Sequence, residues 1–235
     1  MGVAARPTGP YIIGIAGSPG SGKSTLASLV CKRCNEVAAA AAGGGERAEV
    51  AVVVPMDGFH LFKAQLDAFP DREAAYARRG APWTFDAEAF LRTVRTIADT
   101  GAASVPSFDH GVGDPVPDGI QVLPTHRIVL VEGNYLFLDQ PPWSELRGLM
   151  HDTWFVDVDL GVAMQRVLTR QTGSGRSAEV AAARIAGNDR PNGEAVIASR
   201  HVGRVLVPSD VPFRGGGSDS SNGRGGVGAT GEAAQ

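Results

Sequence analysis

The octapeptide Gly17-Ser18-Pro19-Gly20-Ser21-Gly22-Lys23-Ser24 sits between an apolar, partly β-branched run, Tyr11-Ile12-Ile13-Gly14-Ile15-Ala16, and a stretch that opens like a helix, Thr25-Leu26-Ala27-Ser28-Leu29-Val30. Strand, glycine-rich turn and helix together make an anion cradle. The glycines let backbone N–H groups converge on a phosphate, and the helix N-terminus adds its partial positive charge. Lys23 supplies a mobile cation for the β- and γ-phosphates, the Ser24 hydroxyl is placed for Mg²⁺, and Thr25 continues the grip. Every fixed position of the phosphate-loop pattern is filled, in the structural context it requires. The sequence therefore predicts binding of a nucleoside triphosphate.

Working outward, apolar runs at Val50–Val54, Ile128–Val131 and Trp154–Val158 are short, β-branched and unbroken, as expected for strands buried on both faces. Val205-Leu206-Val207 is a weaker last strand. Helical stretches lie between them at Ala87–Ala98, Trp143–Met150, Val162–Gln171 and Ser177–Ala186. This alternation predicts an α/β fold, a doubly wound parallel sheet with right-handed crossovers. Residues 1–9 read as a flexible arm, 10–213 as one domain and 214–235, rich in glycine and serine, as a disordered tail. Ala38 to Gly45 reads as a loose connection between the first helix and the second strand.

Composition narrows the partners. A net charge of −3 and a pI near 5.9 argue against nucleic acid or an anionic membrane held by bulk electrostatics. No run approaches the roughly 20 apolar residues that span a bilayer. The chain's start shows no secretory leader, and its two cysteines make no disulfide framework, so a reducing, cytoplasmic setting is expected. Cys31 and Cys34 stand three apart on the first helix without the further Cys/His pair that zinc would need, and are expected to line its buried face.

Ligands of such sheets bind beyond the carboxyl ends of the strands, so the residues after each apolar run matter most. Strand two ends in Met56-Asp57-Gly58-Phe59-His60. A carboxylate there can take a proton from an attacking hydroxyl or hold Mg²⁺ through water; a simple Asp-Gly turn is the alternative. Ile128–Val131 leads to Glu132-Gly133-Asn134, where an acid is placed to support the metal. Asp159, after the next run, reads as a helix N-cap. Arg166 and Arg170 share one helix face, followed by the pliable tip Thr172–Ser177 and a helix holding Arg184. These residues, about 166–190, form either a closing lid or a solvated helical hairpin. Arg78-Arg79-Gly80 and Phe108-Asp109-His110 lie in the long connections before Ile128, and line an acceptor pocket or are ordinary loop.

Taken together, six segments resemble the uridine kinase, phosphoribulokinase and bacterial-type pantothenate kinase family of P-loop kinases. They are Gly17–Ser24, Met56–His60, Arg79–Asp86, Pro106–His110, Val131–Tyr135 and Asn188–Gly193, and they run in family order across most of residues 10–200. The resemblance implies a P-loop NTPase fold of the nucleotide-kinase type with a small helical lid. It implies an enzyme that uses ATP and Mg²⁺ to phosphorylate a hydroxyl of a small metabolite: a nucleoside, a pantothenate-like alcohol or a sugar. It makes Asp57 the general base, Glu132 the carboxylate near Mg²⁺, and Arg166 and Arg170 phosphate-binding arginines of the lid. His60, Arg79, Asp109 and His110 fall near the acceptor. Two other classes bear on the same motifs. A guanine-selective switch lacks its Asn-Lys-x-Asp here; an ATPase or ATP-binding module without a small-molecule acceptor would share the site residues.

Overall fold

A computed structural model describes residues 9–43, 49–109 and 111–210. The predicted first strand is β1, Tyr11–Ala16, and the glycine-rich turn delivers the chain into α1, Lys23–Ala41. Then follow β2, Ala51–Pro55, a 3₁₀ turn at Met56–Phe59, and the short helices α2, Lys63–Asp67, and α3, Arg72–Ala77. Helix α4, Ala87–Thr100, leads to a hairpin of β3, Ala103–Asp109, and β4, Asp114–Val122. The chain returns to the main sheet as β5, Ile128–Gly133, and β6, Asp152–Asp157, with a 3₁₀ segment at Trp143–Leu149 between them. Helices α5, Leu160–Gly173, and α6, Ala178–Arg184, run into a π-helical turn at Ile185–Asp189 and α7, Arg190–Ala198, before β7, Val205–Pro208.

The five sheet strands are parallel in the order β2-β5-β1-β6-β7. The strand period of two divides their side chains between two cores. Ile13 and Ile15 pack on the α1 side with Leu26, Ala27 and Val30, while Ile12 and Ala16 face the side holding Phe90, Leu91, Val94 and Ile97 of α4. Helices thus cover both faces, as the unbroken apolar runs predict. Asp86 caps α4 by accepting from the Ala89 amide at 2.8 Å, and Asp159 caps α5 from Val162 at 3.1 Å, its expected task.

Several expectations change. Helix α1 continues through Ala38–Ala41, so half of the supposed loose tract is helix; alanine is the best helix former. Residues 44–48, the arm at 1–8, His110 and the tail from 211 onward lie outside the described residues. Cys31 and Cys34 are only half-buried, and the Cys31 thiol donates to the Ala51 carbonyl at 3.3 Å. Trp143–Leu149 winds as 3₁₀, not α. The antiparallel hairpin was not anticipated. Pro106, Pro115 and Pro117 argue against strands, yet a two-stranded sheet tolerates them because its outer amides need no partner. Among the described residues no helix is long and apolar enough to cross a membrane.

Candidate functional site

The strand order builds the site. Because β5 lies between β1 and β2, the phosphate loop, Glu132 and Asp57 emerge side by side; Glu132 pairs with Ile15 on one side and Pro55 on the other. The loop's curvature requires Gly20 at φ +79° and Gly22 at φ +97°, where a side chain would be strained. Gly20 also lies so close to α5 that a Cβ would sit 2.2 Å from the Ala163 carbonyl oxygen. The 19-residue helix beyond has no side-chain cap at its N-terminus and no acid in its first turn. Its leading amides are thus left to an external anion.

In front of that helix mouth is a cavity of about 310 Å³ lined by Gly20, Gly22, Lys23, Ser24, Thr25, Arg166, Arg170 and Ser209. The structure thus brings together the two arginines of α5 and the loop, but gives them different tasks. Arg170 faces the cavity. Arg166 is largely spent on protein: it donates to the Ser209 carbonyl at 2.6 Å and the Ser209 hydroxyl at 3.1 Å, and more weakly to the Ser21 and Gly20 carbonyls at 3.4 and 3.5 Å. Ser209, in turn, donates to the Ser21 carbonyl at 2.8 Å. This buried serine just after β7 braces the loop from the cavity wall, and no local sequence pattern marks it.

Glu132 is only 5% exposed, and its Oε2 has no hydrogen-bond partner. Burial pushes its carboxyl above the usual range against the pull of Lys23; Asp57 adds repulsion, and a hydrogen bond from Ser24 opposes it. An acid with one bare oxygen, beside a lysine and the loop serine, fits a divalent cation that would satisfy the missing coordination. Asp57 is half-buried on the 3₁₀ turn after β2, within electrostatic reach of Glu132. Gly58 is required next to it: a Cβ there would sit 1.9 Å from the Pro106 carbonyl oxygen of β3.

The predicted acceptor residues divide. The His60 Nδ1 lies 2.8 Å from the Asp57 carbonyl oxygen, and its ring stacks between Phe85 and Phe108 at 4.0 and 4.7 Å. Arg79 donates to Asp114 at 3.2 Å and to the Leu61 carbonyl at 3.0 Å, and lies over the Phe108 ring. His60 and Arg79 therefore both pack on Phe108 of the hairpin. The Asp109 carboxylate instead accepts from the amides of Gly111 and Val112, organising the hairpin turn. His110 is outside the described residues.

The segment from α6 through the π-helical turn docks on this region. Arg184 and Asn188 both donate to the Arg79 carbonyl at 2.9 Å, and the Tyr135 hydroxyl donates to the Gly80 carbonyl. The Asn188–Gly193 run was legible only as part of a resemblance; its contacts give it a role.

Comparison with known proteins agrees with this geometry. The model of the "Phosphoribulokinase / Uridine kinase family" matches residues 12–201. A Schizosaccharomyces pombe protein named "putative uridine kinase" is 44% identical over 186 residues, 77% of this chain and 75% of that one. The crystal structure of a "putative fructose transport system kinase" from Silicibacter sp. TM1040 superposes with a TM-score of 0.72 at 31% identity, covering 90% of this chain and 93% of that one. The P-loop protein YFH7 of Saccharomyces cerevisiae shares the fold at TM-score 0.74 and 23% identity, over 87% and 93% of the two chains. With a family model that matches residues 12–201 and a relative 44% identical over 77% of its length, the chain belongs to the phosphoribulokinase/uridine kinase family of P-loop kinases.

Proposed function

We propose that the protein is an ATP-dependent kinase that transfers the γ-phosphoryl group to a hydroxyl of a small metabolite. The observation that carries this reading is Glu132, a buried carboxylate with an unpartnered oxygen, held against Lys23 and Ser24 with Asp57 alongside. Asp57, the second acid beside it, can take a proton from an attacking hydroxyl, a task that holding a nucleotide alone does not require. The loop amides, Lys23 and Arg170 hold the triphosphate and neutralise the charge that spreads as the bond to the β-phosphate oxygen breaks. Asp57 orients the acceptor hydroxyl and accepts its proton as the oxygen bonds to the γ-phosphorus, leaving ADP. Ser24 and Glu132 are the residues that would hold Mg²⁺, which would screen the charge of the phosphates.

The test is a screen of candidate alcohols with MgATP for ADP production. An alcohol that accelerates ADP release supports the kinase; hydrolysis that no alcohol stimulates favours an ATPase without an acceptor. With the acceptor in hand, Asp57→Asn is expected to keep ATP affinity and lose roughly 10²- to 10⁴-fold in turnover. Lys23→Ala is expected to weaken ATP binding by calorimetry. An undiminished rate in the first variant removes the base from the mechanism.

A further inference from the structure

Arg78 is assigned no part in the site so far, yet it differs from the arginines around it. Arg79 is paired with Asp114, Arg184 feels the charge of Asp189, and Arg166 is bound to Ser209. Arg78, the C-cap of α3, is half-buried and has no carboxylate partner among the described residues; its Nε, like that of Arg79, is buried without an acceptor. Among the described residues its side chain reaches one acceptor, the Asn192 side-chain oxygen, from Nη2 at 3.5 Å. A buried guanidinium with spare donors is costly unless an anion completes it.

The partner explains the arrangement. Asn192 and Asn188 are almost wholly buried, and the Asn192 amide nitrogen donates to the Asn188 oxygen at 3.1 Å. That bond turns the Asn192 oxygen toward Arg78. An amide here positions the guanidinium without cancelling its charge, as a carboxylate would. The location is also defined. Next to Asn192, Gly193 packs toward Ser18 of the phosphate loop, and the buried Tyr135 hydroxyl senses both Arg78 and Asp57. Arg78 does not line the cavity of Lys23 and Arg170, where the triphosphate belongs. Its free charge is on the acceptor side.

From this placement we infer that Arg78 binds an anionic group of the phosphoryl acceptor, so that the substrate is a hydroxy acid or a phosphorylated alcohol and not a neutral nucleoside or sugar. The planar fork of arginine matches both carboxylate and phosphate. This inference rests on the kinase reading above. The γ-phosphate of ATP carries the same chemistry, and the experiment separates the two sources.

ADP production is measured with alcohols paired by the presence of an acid: glycerol against glycerate, ribose against ribose 5-phosphate, and pantothenyl alcohol against pantothenate. The wild type is expected to use an acidic member at least 10-fold better than its neutral partner. Arg78→Gln is expected to raise the KM for that acid roughly 10- to 100-fold, the scale of a charged hydrogen-bond pair, with the KM for MgATP within about twofold of wild type. Arg78→Lys recovers part of the loss. Asn192→Asp, which supplies the missing carboxylate at nearly unchanged volume, raises the same KM and serves should Arg78→Gln fail to fold. Preference for a neutral partner, with ADP still produced, overturns the inference and leaves the kinase standing. A loss confined to the KM for MgATP assigns the anion to the γ-phosphate and overturns it as well. ATP binding without stimulation by any of the six alcohols counts against both readings.

Discussion

At the scale of single residues, Glu132 carries an opposition between stability and use. Its buried carboxylate keeps an oxygen without a partner, a cost the fold would avoid if the side chain only filled space. Glu132→Gln keeps the shape and removes the ionic demand. Its melting temperature by calorimetry is expected to match or exceed that of the wild type, while turnover with MgATP falls about 100-fold or more. A large fall in both would make the residue a packing element. Residues of this kind were legible in the sequence because topology leaves them no other place: an acid directly after a buried run, on a strand next to the phosphate-loop strand, must face the crevice. Arg78, Asn192 and Ser209 were not legible. Each acts through a partner 114 or more positions away, and nothing within a local window marks such a pairing.

Among the elements, the contact between the Met56–Phe59 turn and β3 decides how the acceptor side is shaped. Gly58 admits the Pro106 carbonyl where any side chain would displace it. Gly58→Ala is expected to cost about 1–3 kcal/mol in a denaturant melt, since a backbone atom and not a flexible side chain must yield. The damage should spread to the acceptor KM, with ATP affinity by calorimetry nearly unchanged. Unaltered stability would mean that the hairpin moves freely over the turn. Strands β1, β2, β5 and β6 were readable to within a residue or two because a strand covered on both faces writes an unbroken apolar run. The hairpin was not, since three prolines hide strands that lie beside the main sheet, not within it. Winding details such as the π turn at Ile185–Asp189 were equally hidden; the apolar spacing there reads as ordinary helix.

On the scale of the whole molecule, the α6–π-turn segment and the 78–80 turn are joined through one carbonyl. Arg184 on α6 and Asn188 on the π turn converge on a single carbonyl, that of Arg79, whose side chain holds Asp114 of the hairpin. Removing either donor is expected to loosen the Ala178–Ala198 segment and the 78–80 turn together, seen as faster amide hydrogen exchange in both. A double-mutant cycle of Arg184→Ala and Asn188→Ala should show about 0.5 kcal/mol or more of coupling, because the two share one acceptor. Independent effects confined to the lid would separate the two regions.

The serine brace of the phosphate loop has a consequence for the chain as it is made. Ser21 and Ser209 lie 188 positions apart, so the loop leaves the ribosome long before the serine that steadies it. An unfinished chain lacks this support for its phosphate loop. Firm nucleotide binding becomes available only once synthesis has reached the strand that closes the sheet's far edge.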